Sequence, residues 1–278
     1  MDREEIAKAV REVLGEMLRP GGSAPSTPVI HARPRHQPGQ SPFDAGELQR
    51  IKDVTPARLV QGRVGTRYLT DVSIHLRAEH AIALDAVHSA VPDDFAQKLG
   101  CLALKSQCQD HQEFLLFPNH GRRLDDQSKQ RLEKEGPRNA DVQVILGDGL
   151  SAWAILENGP ALLPLLQQGL ESAGFKTGKP LFVKYARIGV ADEIGLLLGS
   201  KSTIILVGER PGLGTGDSLS AYTAFGPKLE QDNAEKDCIS NVRPLGLPPE
   251  GAAAECVTLL KRTFAAGGGG VRLTQSGK

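Results

Sequence analysis

Three apolar runs in the second half of the chain each stop at a glycine-marked turn, and this repetition constrains the fold more than any other feature. They are DVQVILGDGLSAW (141–153), PLFVKYARIGVADEIGLLLG (180–199) and TIILVGERPGLGTGDSLSAY (203–222). Each is nearly continuous in apolar residues rather than alternating, the pattern of a strand covered on both faces. The first predicts a strand over 142–147, a tight turn, and a helix with Ser151 near its start. The second predicts a strand over 180–186 and a helix over 191–199, and the third run predicts another strand. Strands alternating with helices indicate βαβ units and a parallel sheet. In such sheets ligands sit beyond the carboxyl ends of the strands, here at loops 147–151, 187–190 and 208–216.

The rest of the chain is organised around this half. In MDREEIAKAVREVLGEMLRP, Ile6, Val10, Val13, Leu14 and Met17 form one apolar stripe on a charged helix that Pro20 stops. The reading is an amphipathic helix over 1–19, docked either on its own domain or in a partner's groove. A Pro-, Gly- and Ser-rich linker follows over 20–46. Residues 47–137 read as mostly helical, with Leu76, His80, Ala83, Leu84 and Val87 at helical spacing. Between 53 and 70, Arg58, Arg63 and Arg67 stand among Gly62 and Gly65. They suit contact with an anion or a carboxylate-rich partner, or a turn with solvated charges. Residues 138–278 form the sheet domain, closing on a helix in EGAAAECVTLLKRTFAAG and a mobile tail in GGGGVRLTQSGK.

Charge and composition exclude several function classes. A formal net charge of +0 over 278 residues argues against a general nucleic-acid or membrane-surface binder. A run of about 18 apolar residues, the least a spanning helix needs, is missing. No signal-peptide core precedes the linker, so a cytoplasmic chain with reduced thiols is the expectation. The four cysteines, Cys101, Cys108, Cys238 and Cys256, show no zinc spacing.

The glycine-rich 208–216 stretch invites a nucleotide reading, which fails on detail. Gly212, Gly214 and Gly216 give GxGxG rather than GxGxxG, displaced from the strand by Glu209, Arg210 and Pro211. No GK[ST] follows, and a carboxylate at Glu209 repels phosphate. GDGLS is not a nucleophile elbow, which needs glycines on both sides of the serine. All seven histidines precede residue 121, outside the α/β half. His80 and Asp85 share a helical face loosely, which suits an ordinary structural histidine better than a catalytic one. The picture is a ligand-contacting chain without a catalytic set, whose chemistry lies on another subunit.

Six stretches bring a family with them in order: DVTPARLVQGRVGTRYLT, RAEHAIALDAVHSAVP, DVQVILGDGLSA, FVKYARIGVADEIGLLLG, ILVGERPGLGTGDSLSAY and CISNVRPLGLPPEGAA. From about residue 53 to 262 the chain resembles the small subunit of ethanolamine ammonia-lyase. The resemblance implies an α/β chain with a Rossmann-like parallel sheet domain. Before it come a helical region, a Pro/Gly-rich linker and an N-terminal amphipathic helix. It implies an adenosylcobalamin-dependent lyase that turns ethanolamine into acetaldehyde and ammonia. In that family the large subunit, a TIM barrel, carries the radical chemistry, and cobalamin lies between the subunits, six of each kind. Residues 1–19 then match an encapsulation helix for the shell of a bacterial microcompartment.

Carried over by motif, the cofactor contacts fall on Ile188 in YARIG, Glu209 in GERPGL and Cys238 in CISN. Ile188 stands where the family has valine, and Gly212, Gly214 and Gly216 are expected to keep the loop after Glu209 low so that the flat ring can lie close. No catalytic residue and no metal ligand is expected on this chain. The DxHxxG motif that places histidine on cobalt is missing, since the HxxG at His36–Gly39 lies in the linker without its Asp. This agrees with the family's mode, in which the nucleotide base stays on cobalt, and the resemblance implies that Cys238 is a rim contact rather than a cobalt ligand. Two other readings stay open on the residues alone: a self-sufficient small-molecule enzyme on a Rossmann-like fold, and a non-catalytic scaffold or cargo adaptor.

Overall fold

The computed structural model describes residues 44–55 and 57–276. The helix expected over 1–19 and most of the linker expected over 20–46 lie outside the described residues. The chain divides into two compact units, residues 1–73 and 74–278.

In the first unit, α1 (Ala45–Asp53) starts where the Asp44 carboxylate accepts from the N–H groups of Gly46 and Glu47. The arginine-and-glycine stretch forms a two-residue antiparallel ribbon, β1 (Arg63–Val64) with β2 (Arg67–Tyr68). It turns at Gly65, whose φ of 61° a side chain would resist. The Arg63 guanidinium lies 4.3 Å from the Tyr68 ring centroid, so one of the three arginines is engaged within the ribbon itself.

The second unit is an α/β sandwich on one six-stranded sheet. Its elements in chain order are α2 (Thr70–His88), α3 (Phe95–Lys98), β3 (Leu102–Lys105), α4 (His111–Leu116) and α5 (Asp126–Glu135). Then come β4 (Val142–Gly147), α6 (Ala152–Ser172), β5 (Leu181–Lys184), α7 (Val190–Leu198) and β6 (Ser202–Gly208). The chain closes with β7 (Leu219–Phe225), β8 (Lys236–Val242), α8 (Pro249–Ala266) and α9 (Val271–Ser276). Strand order is β3-β5-β4-β6-β7-β8. The first four run parallel, and β7 and β8 continue antiparallel at one edge.

The three apolar runs are β4, β5 and β6, and they fill the middle of the sheet as their composition requires. All of β4 and β6 is buried. Val142, Val144 and Leu146, with Ile204 and Leu206, feed one core layer against α6 and α8. Ile145, Ile205 and Val207 feed the other, against α5 and α7. The alternation of strand side chains thus serves two cores at once.

Three departures from the sequence reading matter. The sheet is mostly but not wholly parallel: β7 and β8 turn back beside β6. Its far edge, β3, comes from the region read as mostly helical, where Leu102 and Leu104 face the core beside Leu181 and Val183. Residues 271–276, read without an element, form α9, in which Leu273 is buried and the Gly270 N–H donates to Asp237 Oδ2 at 3.0 Å. On α2 only Ala83 and Ala86 are buried, and His80 and Asp85 are exposed. Among the described residues no helix is long and apolar enough to cross a membrane.

Candidate functional site

The parallel strands deliver their carboxyl ends to one side, and an open cleft of about 1130 Å³ lies there. Its floor is small: Gly149 after β4, Ala186 and Gly189 after β5, and Gly208 at the end of β6. Gly208 has no room for a Cβ, which would sit 2.8 Å from the Asp148 carbonyl oxygen. Larger side chains stand around this floor, including Arg187, Ile188, Glu209 and Tyr222.

The loop after β5 is held rigidly. Asp148, 7% exposed, accepts from the N–H of Tyr185 through Oδ2 at 2.8 Å and from the N–H of Ala186 through Oδ1 at 2.9 Å. Arg187 N–H donates to Gly121 O at 2.8 Å. Burial pushes the Asp148 carboxyl up to about 6, although these N–H groups and a nearby lysine pull it down. Tyr185 itself takes φ of 60°, a conformation a non-glycine residue keeps only when its surroundings impose it. The Arg187 guanidinium donates to Phe114 O at 2.8 Å and stacks 4.3 Å from that ring's centroid.

Glu209, the first residue past β6, is the most constrained side chain in the cleft. Oε1 accepts from Ser220 Oγ at 2.5 Å and from the N–H of Asn241 at 2.9 Å. Oε2 accepts from Ser218 Oγ at 2.9 Å. Main-chain pairing adds to this, Glu209 N–H to Ser218 O at 3.0 Å. The register between β7 and β8 shifts between Leu219 and Ala221, a bulge at the residue that reaches Glu209. Asn241, with φ of 57°, is a second left-handed residue beside the site. A carboxylate offers about four acceptor positions, so three internal donors leave about one on Oε2 for a ligand.

Of the three residues marked from the sequence, Ile188 and Glu209 line this cleft together, although 21 positions separate them. Cys238 does not line it. It pairs across the β7–β8 ladder with Tyr222, which does, and it is exposed. Burial raises its thiol, while the neighbouring Tyr222 and Ser220 hydroxyls pull it down. On β8 Cys238 lies between Lys236 and Ser240, both of which line the cleft.

The three glycines of the 212–216 stretch have a different task from the one their pattern suggests. They are not part of the cleft. Gly212 and Thr215 close a tight turn through Thr215 N–H to Gly212 O at 3.1 Å, with Gly214 at φ of 72°. Gly216 packs against Trp153 and Ala86, where a Cβ would meet atoms at 3.1 and 3.0 Å. Ser151 ties this loop down, donating to Gly216 O at 2.5 Å while capping α6 through the Ala154 N–H. The glycines that shape the cleft are Gly149, Gly189 and Gly208, each in one of the strand-end loops marked from the sequence.

Two ion pairs join charges within the cleft lining. Lys236 meets Asp192 at 2.8 Å with both side chains at most 5% exposed, and Arg123 meets Glu230 at 3.3 Å. His120 is paired with Glu113. Among the described residues no cluster of three or more His, Cys, Asp or Glu side chains forms a metal site.

The chain matches the family model described as the ethanolamine ammonia-lyase light chain (EutC) over residues 45–274.

Proposed function

The chain belongs to the ethanolamine ammonia-lyase light-chain family, and from that premise we propose that its cleft is one wall of an adenosylcobalamin site completed by the large subunit. The observation that carries this reading is the convergence of Ile188 and Glu209 on one cleft at the strand ends, with Cys238 paired across the ladder to Tyr222 of the lining.

The residues present fit such a group. A corrin is a flat macrocycle rimmed by amides that both donate and accept. A floor of Gly149, Ala186, Gly189 and Gly208 suits a flat face, because nothing larger than a methyl projects from it. Glu209 offers the rim a carboxylate already oriented by Ser218, Ser220 and Asn241. Its remaining acceptor position takes one amide N–H in a charge-assisted bond, and little side-chain entropy is lost because the group is held beforehand. Ile188 supplies apolar contact at the start of α7. Cys238, on β8 between the lining residues Lys236 and Ser240, is proposed as a further contact to the rim.

When bound, adenosylcobalamin supplies the cobalt–carbon bond from which the radical reaction of the lyase starts. This chain's contribution is to bind, orient and shield from water; the large subunit holds ethanolamine. We place the chain on a Rossmann-like parallel core, in an assembly of six large and six small subunits. On the same reading residues 1–19 address the complex to a microcompartment shell in the cytoplasm.

The reading is tested by titrating adenosylcobalamin, followed by absorbance, into this chain alone, the large subunit alone, and the two together. Tight binding by the pair and little by this chain alone is expected, since an open cleft is half a site. Equal binding by the large subunit with and without this chain would overturn it.

A further inference from the structure

Five basic side chains line the cleft, Arg122, Arg123, Arg187, Arg210 and Lys236. Lys236 is neutralised by Asp192 and Arg123 by Glu230. Arg122, Arg187 and Arg210 are left. None of them has a carboxylate partner among the described residues. Glu209, next to Arg210 in sequence, makes no ion pair with them, its oxygens being engaged by Ser218, Ser220 and the Asn241 N–H, but it and Asp232 keep their charge, so five cations face four carboxylates in the lining and the excess is one positive charge. Asp232, also in the lining, caps its own turn through the Ala234 N–H at 2.9 Å.

Arg187 is fixed from behind by Phe114, and its Nε is buried with no hydrogen-bond partner. Arg122 packs across Gly189 and Arg187 across Gly121, so the two glycines of neighbouring loops let both arginines lie low over the cleft. Burial lowers the Arg187 guanidinium from its ordinary value, and repulsion from Arg210 and Arg122 adds to this. Like charges gathered in a cleft with low-dielectric walls are unfavourable until an anion arrives. Guanidinium groups suit a tetrahedral oxyanion, which they engage through paired N–H donors.

We propose that Arg122, Arg187 and Arg210 form an anion subsite of this cleft, and that the anion is the phosphodiester of the cofactor's nucleotide tail. The proposal rests on the cobalamin reading above and adds to it. The corrin rim is neutral amide, which asks for no excess of positive charge. The phosphodiester is the one anionic group of the tail, and the cleft's single excess positive charge, carried on three arginines without ion-pair partners, answers it. Glu209 and the arginines then divide the ligand between them, the carboxylate taking rim N–H and the arginines taking phosphate.

The test compares cyanocobalamin with cobinamide, which keeps the corrin and lacks the nucleotide phosphodiester. Both are titrated by absorbance into the complex with the large subunit, using wild type and an Arg122→Gln/Arg210→Gln double variant. Both residues are exposed, so the variant folds, and circular dichroism checks this. Each lost charge-assisted contact is expected to weaken cyanocobalamin about tenfold or more, while cobinamide changes less than about threefold. Equal weakening of both corrinoids would overturn the subsite and leave the cofactor reading standing. No binding of either by the wild-type complex would overturn the cofactor reading itself. A third arm adds inorganic phosphate. If it stabilises wild type but not the variant while the corrinoids are not discriminated, the subsite takes a free anion and the phosphodiester assignment falls.

Discussion

Replacing Glu209 by Gln isolates the one acceptor position that the cleft keeps for a ligand. Glutamine is close to isosteric, and its carbonyl oxygen replaces Oε1 as acceptor for Ser220 Oγ and the Asn241 N–H. Its amide nitrogen takes the place of Oε2 opposite Ser218 Oγ, a hydroxyl that rotates to accept instead of donate. The internal network survives, so stability should stay within about 1 kcal/mol. The ligand meets a donor where it had a charged acceptor. A hydrogen bond to a charged group contributes about 1.5–3 kcal/mol, which corresponds to a dissociation constant raised about tenfold to a hundredfold. The assay is an absorbance titration of adenosylcobalamin into the complex with the large subunit, paired with urea melts of the isolated chain. Weakened binding with unchanged melts is expected. Unchanged affinity would refute the role given to Oε2. Glu209→Ala is a poorer probe, since it strips acceptors from two serines and one N–H together.

Other expectations follow from the same geometry. Asp148 ordinarily titrates near 3.8, and burial raises it to about 6 in the fold. The unfolded chain therefore loses this proton first, and stability falls as pH rises through that window. The gap corresponds to about 3 kcal/mol lost between pH 4 and 6 and constant above it. Urea midpoints of wild type should fall relative to Asp148→Asn over that range; parallel profiles would count against the assignment. Breaking the buried Lys236–Asp192 pair with Lys236→Met should cost about 3–5 kcal/mol, and adding Asp192→Leu should recover part of it. If the double variant is no more stable than the single one, the pair is not the cause. Of the four cysteines, Cys101, Cys108 and Cys256 are buried and Cys238 is exposed. A thiol reagent should titrate one group per native chain and four in guanidinium, and a second fast native thiol would contradict that burial.

What the sequence made legible, it did through burial and spacing. The runs of β4, β5 and β6 announced themselves because a central parallel strand must be apolar on both faces. Ser151 declared a helix start by its side chain alone. β3 was hidden because an edge strand of four residues, CLALK with its flanks, carries too little periodicity to stand out from the helices around it. β8 was hidden for a related reason: only Val242 of its seven residues is buried, and KDCISNV lacks an apolar stripe. At the site, the turn glycines gave away the floor of the cleft, whereas the GxGxG glycines misled, since close approach to Trp153 demands glycine as much as close approach to a ligand does. The support of Glu209 by Ser218, Ser220 and Asn241 was illegible, because it depends on an antiparallel pairing and a bulge. The role of Asp148 depended on its burial, and the unpaired arginines on which charges meet, neither of which spacing encodes.

The most direct measurement is a cryo-electron microscopy map of this chain assembled with the large subunit and cobalamin. The account predicts corrin density over Gly149, Ala186, Gly189 and Gly208, with a rim amide at hydrogen-bonding distance from Glu209 and Ile188 in contact. A corrin held wholly by the large subunit, with this cleft facing solvent, would contradict it.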